Sequence, residues 1–219
     1  MYHAVVFDFD YTLGDSTDGI VISANYALDQ LGLVEKSVAE IRKTIGLSLR
    51  DTYFALTGKS NLKEAALFTR YFREKADQVM TAHTQLYSGV RDSLIHLRDA
   101  GFKTGIVTTK FHYRIEQILL KFDALDMVDF IVGAEDVKIE KPDPEGLLWV
   151  IEHLKLKNEE VLYVGDSLVD VRTAQNAGVD FAGVMTGTTT REEFLGYPYL
   201  YIGENIGEIC RYVLGLRRS

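Results

Sequence analysis

The sequence predicts an α/β fold, a doubly wound parallel sheet into which a second, all-α domain is inserted. From residue 84 onward, short apolar runs rich in β-branched residues alternate with segments whose apolar residues recur at helical spacing. This alternation is typical of a parallel sheet covered by helices on both faces. Residues 16–84 instead contain four helical patterns and no convincing strand, which indicates that a helical block interrupts the α/β domain.

The first strand of the predicted sheet lies near the N-terminus, in the apolar run of Val5, Val6, Phe7 and Phe9. Four further apolar runs predict strands, over residues 103–109, 130–134, 161–166 and 181–185. Helical patterns lie between these runs, over residues 91–100, 144–155 and 168–177. A glycine follows two of these helical patterns, at the position where glycine usually ends a helix.

The helical block is predicted from its start and stop signals. Three capping residues are each followed three positions later by an acidic residue, as in Ser37 with Glu40, which is typical of helix N-termini. Because this block follows the first strand, the simplest organisation has two domains. An α/β core is formed by residues 1–15 and 85–219, and a helical domain by residues 16–84.

Composition excludes several classes of protein. The net charge is −8, from 24 Lys and Arg against 32 Asp and Glu, whereas general nucleic-acid binding needs a basic surface. No apolar run approaches the roughly 18 residues that cross a bilayer, and the N-terminus lacks the features of a signal peptide. We therefore expect a cytoplasmic protein that binds neither nucleic acid nor membrane. The single cysteine, Cys210, is expected to pack within a helix.

Polar residues follow three of the predicted strands. Asp8 and Asp10 end the first, and Asp166 ends the run at 161–166, with Asp170 one helical turn later. The run at 103–109 ends in Thr108, Thr109 and Lys110, and Lys141 precedes the helix at 144–155. Open α/β sheets bind ligands at the carboxyl ends of their strands. If these strands are neighbours, four carboxylates, hydroxyl groups and a lysine converge.

Four converging carboxylates repel one another and need a counter-cation. Oxygen ligands with little nitrogen or sulfur favour Mg²⁺ over Zn²⁺. A metal beside hydroxyl groups and a lysine suits a phosphoryl group, whose transfer needs positioning and neutralisation of charge. One aspartate can attack the phosphorus, and a second can serve as general acid and base.

Four motifs, "DFDYTL" at Asp8, "VTTK" at Thr108, "EKPDPE" at Lys141 and "VGDSLVD" at Asp166, resemble those of the haloacid dehalogenase-like (HAD) phosphohydrolase superfamily. Their order and spacing are similar to its phosphoglycolate phosphatase and phosphonatase-like branch. The resemblance implies a Rossmann-like core, a helical cap domain and hydrolysis of a small phosphorylated metabolite with Mg²⁺.

The resemblance also implies a role for each motif residue. Asp8 is expected to be the nucleophile and a metal ligand, and Asp10 the general acid and base, with its main-chain carbonyl on the metal. Lys141 is expected to neutralise the aspartate and phosphate. Thr108 is expected to bind phosphate through its hydroxyl, and Thr109 through its backbone. Asp166 is expected to hold Mg²⁺, and Asp170 to bind the ion or to orient its waters. Lys110 is a further candidate for phosphate or substrate binding.

Two positions bear on substrate choice. The residue after Asp10, usually glycine in the superfamily, is Tyr11, so the turn is expected either to change or to place a ring near the site entrance. Arg50 lies in "IGLSLRD", which joins two helical patterns of the inserted domain. Because arginine binds carboxylate and phosphate bidentately, Arg50 is the candidate for reading an anionic group on the leaving alcohol.

Three other functions are weighed against a phosphatase. A haloacid dehalogenase shares the aspartate nucleophile but does not need Asp10. A β-phosphoglucomutase-like phosphomutase would share the core motifs and stays open. A receiver-like, phosphate-sensing module would also place aspartates, Thr and Lys around Mg²⁺, but it does not need an inserted helical domain. The physiological substrate and the oligomeric state do not follow from the sequence.

Overall fold

The computed structural model describes residues 1–216. The chain divides into two compact units, of which one comprises Met1–Gly14 and the chain from Leu86 onward, and the other Asp15–Gln85. The first unit holds an α/β sheet and the second is helical. The chain passes between them within two short strands, β2 (Gly14–Asp15) and β3 (Gln85–Leu86), which pair as a separate two-stranded sheet.

The main sheet of the α/β unit is parallel and, within residues 1–216, has six strands. They are β1 (Ala4–Phe7), β4 (Lys103–Val107), β5 (Phe130–Val132), β6 (Val161–Gly165), β7 (Asp180–Val184) and β8 (Tyr201–Gly203). Their spatial order is β5-β4-β1-β6-β7-β8. The first strand therefore lies at the centre, with Phe7 beside Ile106 of β4 on one side and Val164 of β6 on the other.

The helices of this unit follow the strands along the chain. They are α5 (Val90–Asp99), α6 (His112–Lys121), α7 (Glu145–Leu154), α8 (Leu168–Ala177), the short α9 (Arg191–Phe194) and α10 (Ile206–Leu216). Helix α7 packs against α8, and α5 packs against α10. Alternate residues of the strands, among them Ala4, Val6 and Tyr163, share a buried cluster with residues of α7 and α8, because successive side chains of a strand point to opposite faces.

The second unit consists of four helices within residues 15–85. They are α1 (Thr17–Gln30), α2 (Val38–Arg42), α3 (Leu49–Thr57) and α4 (Leu62–Val79). Helix α1 packs against α4. Ala24 and Ala27 are among the buried residues of α1, and Phe68 and Phe72 among those of α4. The expected N-caps are formed by Ser37, Ser48 and Asn61.

The predicted fold class is confirmed, because a parallel sheet flanked by helices forms around the N-terminal strand. Strand β8 and helix α9 were not predicted, since each contains only three or four residues and leaves little periodicity to detect. Cys210 is buried in α10, as expected. Within residues 1–216, none of the helices combines the length and apolar character needed to cross a membrane.

Candidate active site

Three strand ends of the α/β unit bring the candidate residues together. Asp8 directly follows β1, Thr108 directly follows β4, and Asp166 directly follows β6. Because β1 lies between β4 and β6 in a parallel sheet, these three residues emerge side by side at its carboxyl edge. This is the edge at which open α/β sheets bind ligands, so the predicted convergence is observed.

Three carboxylates form a buried cluster at this edge. One oxygen each of Asp8, Asp166 and Asp170 lies within 4.8 Å of the others, and all three residues are buried. Two glycines leave room for the cluster, because a Cβ on Gly187 would lie 1.9 Å from Oδ2 of Asp166, and one on Gly165 would lie 2.6 Å from Oδ2 of Asp170. The local backbone is therefore shaped around these carboxylates.

Lys141, from the segment before α7, supplies a buried positive charge to the cluster. Its Nζ lies 2.8 Å from Oδ1 of Asp8 and 2.6 Å from Oδ1 of Asp170. Nζ also donates a 2.9 Å hydrogen bond to the hydroxyl of Tyr163. A single ammonium group thus faces two buried carboxylates and a phenol oxygen.

Burial and charge shift the pKa values of these groups strongly. Burial raises the pKa of Asp8 to about 6, against a lowering effect of Lys141 and with a further raising effect of Asp170. The pKa of Asp166 is raised well above its usual value, first by burial and then by Asp170 and Asp8. Burial would lower the pKa of Lys141, but Asp170 and Asp8 raise it well above its usual value. The cluster carries more negative charge than one lysine balances.

Asp10 pairs with a second buried lysine. Nζ of Lys110 lies 3.0 Å from Oδ2 of Asp10, and both side chains are nearly inaccessible to solvent. The backbone N–H of Lys110 donates to Oγ1 of Thr108 at 3.3 Å. The structure therefore places Lys110 beside the second aspartate of the first motif.

Asp170 uses both carboxylate oxygens in hydrogen bonds. Oδ2 accepts from the backbone N–H and the hydroxyl of Ser167, at 3.1 and 2.6 Å, and Oδ1 accepts from Lys141. Ser167 and Asp170 form a capping box at the start of α8, so Asp170 has a structural role in the helix N-terminus as well as a place in the cluster.

The remaining core candidates lie close by. Thr108 is buried and Thr109 follows it at the carboxyl end of β4. Thr12, which was not predicted, lies with Oγ1 3.3 Å from Oδ1 of Asp166. Its signal in the sequence was weak, because a threonine in a loop has many possible roles.

The turn after Asp10 keeps a backbone conformation that favours glycine. Tyr11 has a φ of 61° and its ring is buried, with 2% of the residue exposed. The hydroxyl of Thr186 donates to its carbonyl oxygen. Tyr11 therefore adopts a left-handed conformation that glycine would adopt without strain. The effect of its ring on the site entrance stays a prediction.

We expect Tyr11→Gly to lower the free energy of unfolding by about 2 kcal/mol. Glycine relieves the strain of a left-handed residue, which is worth about 1–2 kcal/mol. Loss of a buried aromatic side chain costs more, roughly 3–5 kcal/mol. The measurement is urea unfolding. Asp123→Gly is the control, since Asp123 is exposed and has a φ of 50°, so it tests relief of strain alone. A Tyr11→Gly protein more stable than the parent would contradict this balance.

Arg50 lies in the helical unit, near the start of α3. Its guanidinium group is exposed and pairs with Asp51, with Nε 3.0 Å from Oδ1. The structure of this unit by itself does not test the predicted role in substrate selection, which stays a prediction, as does the action of the unit as a cap.

Tyr163 and Gly187, like Thr12, contribute to the site and were not predicted from the sequence. Tyr163 stands within an apolar strand, where an aromatic residue ordinarily indicates packing. Gly187 lies in the loop after β7, and its closeness to Asp166 depends on the tertiary fold. The signal for Tyr163 was a hydroxyl group in a fully buried strand, because such a group needs a hydrogen-bond acceptor or donor.

The parallel sheet with a buried carboxylate cluster at its carboxyl edge is typical of α/β enzymes that act on phosphoryl groups, and sequence comparison identifies the class. Residues 5–184 match the haloacid dehalogenase-like hydrolase family, and the chain belongs to that family. The match includes the first strand, the helical unit and the ends of β4 and β6, so it covers both units.

Curated relatives and a solved structure agree with this assignment. The chain is 38% identical to a phosphoglycolate phosphatase from Cereibacter sphaeroides over 184 residues, which are 81% of this chain and 83% of the relative. It is 28% identical to the pyrophosphatase PpaX of Bacillus velezensis, over 98% and 97% of the two chains. A crystal structure from Bacteroides fragilis, described as a haloacid dehalogenase-like hydrolase, superposes with a TM-score of 0.92 at 42% identity, over 95% of this chain and all of the other.

Proposed function

We propose that this chain is a Mg²⁺-dependent phosphatase that hydrolyses small phosphate monoesters, of the phosphoglycolate phosphatase kind, through an aspartyl-phosphate on Asp8. The observation that carries the proposal is the buried cluster of Asp8, Asp166 and Asp170 around Lys141, at the carboxyl edge of the sheet. The family and the names of the relatives support the same activity.

The donor set fits a magnesium ion. Oδ1 of Asp8 and Oδ1 of Asp10 are buried. Oδ1 of Asp8 forms an ion pair with Nζ of Lys141 at 2.8 Å, and within residues 1–216 neither oxygen accepts a hydrogen bond of good geometry. Hard oxygen ligands of this kind suit Mg²⁺. Asp8 and Asp166 would hold the ion with the main-chain carbonyl of Asp10, and the hydrogen bonds of Asp170 favour its orienting metal-bound water. When bound, Mg²⁺ neutralises charge on the transferring phosphoryl group.

The residues of the site suit a two-step displacement. A carboxylate oxygen of Asp8 attacks the phosphorus, the ester P–O bond breaks, and Asp10 gives a proton to the departing alkoxide. In the second step Asp10 takes a proton from water, the resulting hydroxide attacks the phosphorus, and the bond to Asp8 breaks. In this proposal Lys141 neutralises Asp8 and its phosphate, and Thr108 and Thr109 bind phosphoryl oxygens.

Substrate class is the part of the proposal with two candidates. Relatives of this chain are named phosphoglycolate phosphatase and pyrophosphatase PpaX, so both phosphoglycolate and pyrophosphate are substrates to test. In each, the group that leaves carries negative charge. The buried ammonium of Lys110 beside Asp10 suits such a leaving group, because opposite charge stabilises it.

The experiment is a phosphate-release assay on the purified chain with Mg²⁺. The panel holds phosphoglycolate, pyrophosphate, p-nitrophenyl phosphate and neutral-alcohol phosphates. Sustained turnover supports a phosphatase, and kcat/KM ranks the substrates. A single stoichiometric phosphorylation without turnover would favour a phosphate-sensing module, and transfer between sugar phosphates without release would favour a phosphomutase.

Arg50→Ala tests the predicted role of the helical unit in substrate choice. We expect KM for phosphoglycolate to rise about tenfold, which corresponds to loss of a charge-assisted hydrogen bond, and turnover of p-nitrophenyl phosphate to stay nearly unchanged because its ring is uncharged. Arg70→Ala, in α4 of the same unit, is the matched control. If Arg50→Ala slows both substrates equally, or neither, Arg50 does not select substrate.

A further inference from the structure

Tyr163 occupies the middle of β6 and is fully buried. It pairs with Val6 of the central strand, and its side chain lies in the cluster that also contains Val6 and Val107. Asp8 is two residues beyond Val6, so its side chain leaves β1 on the same face. The ring of Tyr163 thus lies under the candidate active site.

The hydroxyl of Tyr163 connects three parts of that site. It lies 2.8 Å from the carbonyl oxygen of Val107, 2.9 Å from Nζ of Lys141, and 3.2 Å from Oδ1 of Asp170. A phenol has one proton to donate. Because the contact with Val107 is the shortest, we assign the phenol proton to a hydrogen bond with that carbonyl oxygen. A lone pair of the phenol oxygen then faces the Lys141 ammonium.

This arrangement fixes an otherwise mobile ammonium group. Lysine carries its charge on a flexible four-carbon chain with three donors. Here the ammonium nitrogen lies 2.8 Å from an oxygen of Asp8, 2.6 Å from one of Asp170 and 2.9 Å from the hydroxyl of Tyr163. Asp8 attracts the ammonium by charge, and Asp170 both attracts it and accepts a hydrogen bond from it. The hydroxyl of Tyr163 is held by the main chain of β4 and supplies the third contact of the ammonium.

We propose that Tyr163 is a positioning residue, which holds the ammonium of Lys141 against Asp8 and couples it to the strand that presents Thr108. This inference rests on the proposed function, in which Lys141 neutralises the phosphorylated aspartate. Transition-state stabilisation depends on charge held in place before the reaction, so loss of the hydroxyl acts on the chemical step rather than on substrate binding.

The first test is Tyr163→Phe, which removes only the hydroxyl. We expect kcat for phosphoglycolate or pyrophosphate, whichever the parent hydrolyses, to fall about tenfold while KM stays within about twofold. Tyr2→Phe is the matched control, because it removes a phenol that donates to Asp180 at 2.5 Å, at the amino end of β7. An unchanged kcat, or a rise in KM alone, would overturn the proposal.

A second test uses stability and does not depend on activity. Unfolding by urea is compared for the parent, Tyr163→Phe, Lys141→Met and the double variant. If Tyr163 acts on Lys141, the cost of removing its hydroxyl is smaller in the Lys141→Met background, by about tenfold in the unfolding equilibrium constant. Equal costs in the two backgrounds would show that the hydroxyl acts independently of Lys141.

The stability comparison also gives an answer if Tyr163→Phe does not fold. If Tyr163→Phe does not fold but the double variant does, the two residues are coupled. The reason is that Lys141→Met removes the ammonium that Tyr163→Phe leaves without its acceptor. If neither Tyr163→Phe nor the double variant folds, the proposed coupling is overturned. A parent protein that releases no phosphate with Mg²⁺ would instead refute the proposed function, while the stability comparison still decides whether Tyr163 and Lys141 are coupled.

Discussion

Asp8→Asn is expected to lower kcat for phosphate release at least about a thousandfold, which corresponds to more than about 4 kcal/mol of transition-state stabilisation. The amide keeps the size of the side chain but cannot attack phosphorus as an anion. It also removes one negative charge from the buried cluster of Asp8, Asp166 and Asp170. The measurement is steady-state phosphate release with saturating Mg²⁺.

The matched control for this variant is Asp180→Asn. Asp180 begins β7, at the opposite edge of the parallel sheet from the strand ends that carry the site, so the same chemical change there should leave kcat within about twofold. Asp8→Asn must also retain its fold, which circular dichroism checks. If Asp8→Asn kept a tenth of the parent activity, Asp8 would not be the nucleophile.

Much of the fold followed from the sequence because its strongest signals are local. Buried strands and amphipathic helices each carry their own periodicity, and the helical block between β1 and β4 stood out by its lack of strands. The convergence of Asp8, Thr108 and Asp166 then required only that their strands be neighbours, which the order β4-β1-β6 satisfies. Strand order itself was an assumption, since periodicity does not encode which strands pair.

The contacts within the site depend on where side chains point in the folded protein, which motif spacing does not reveal. The pairing of the Lys110 ammonium with Asp10 was not predicted, and the role of Lys110 in phosphate or substrate binding stays a prediction. Tyr163 reaches from β6 to the carbonyl of Val107 on β4, although β1 lies between these strands. Gly187 is 21 residues after Asp166 in the chain, yet its backbone passes against that carboxylate. Each is a tertiary contact that motif spacing alone could not predict.

Removing divalent cations should stop the reaction, and Mg²⁺ should restore it. With EDTA, the clustered carboxylates of Asp8, Asp166 and Asp170 lose the charge that offsets their repulsion. We therefore expect phosphate release to vanish on exhaustive chelation and to return on adding Mg²⁺. The parent level of activity after chelation would contradict a metal-dependent mechanism.

Mg²⁺ should also stabilise the folded protein, because an ion that binds only the folded state shifts the unfolding equilibrium. At about a hundred times its Kd the expected gain is about 2.7 kcal/mol, or roughly 5–10 °C in Tm for a chain of this length. Asp8→Asn removes one ligand and should lose most of this shift, whereas Asp180→Asn should keep it. Differential scanning fluorimetry measures both.

The stabilisation should depend on pH in a direction set by Asp8. Burial raises the pKa of this carboxyl from 3.8 to about 6 in the folded protein, so without metal the folded state holds the proton more tightly than the unfolded chain. That contribution to stability is complete below about pH 4 and is lost as the pH rises through about 6. Protons and Mg²⁺ compete for the same carboxylate. The Tm gain from Mg²⁺ should therefore be larger at pH 7.5 than at pH 5, and an equal gain at both values would show that the ion binds away from Asp8.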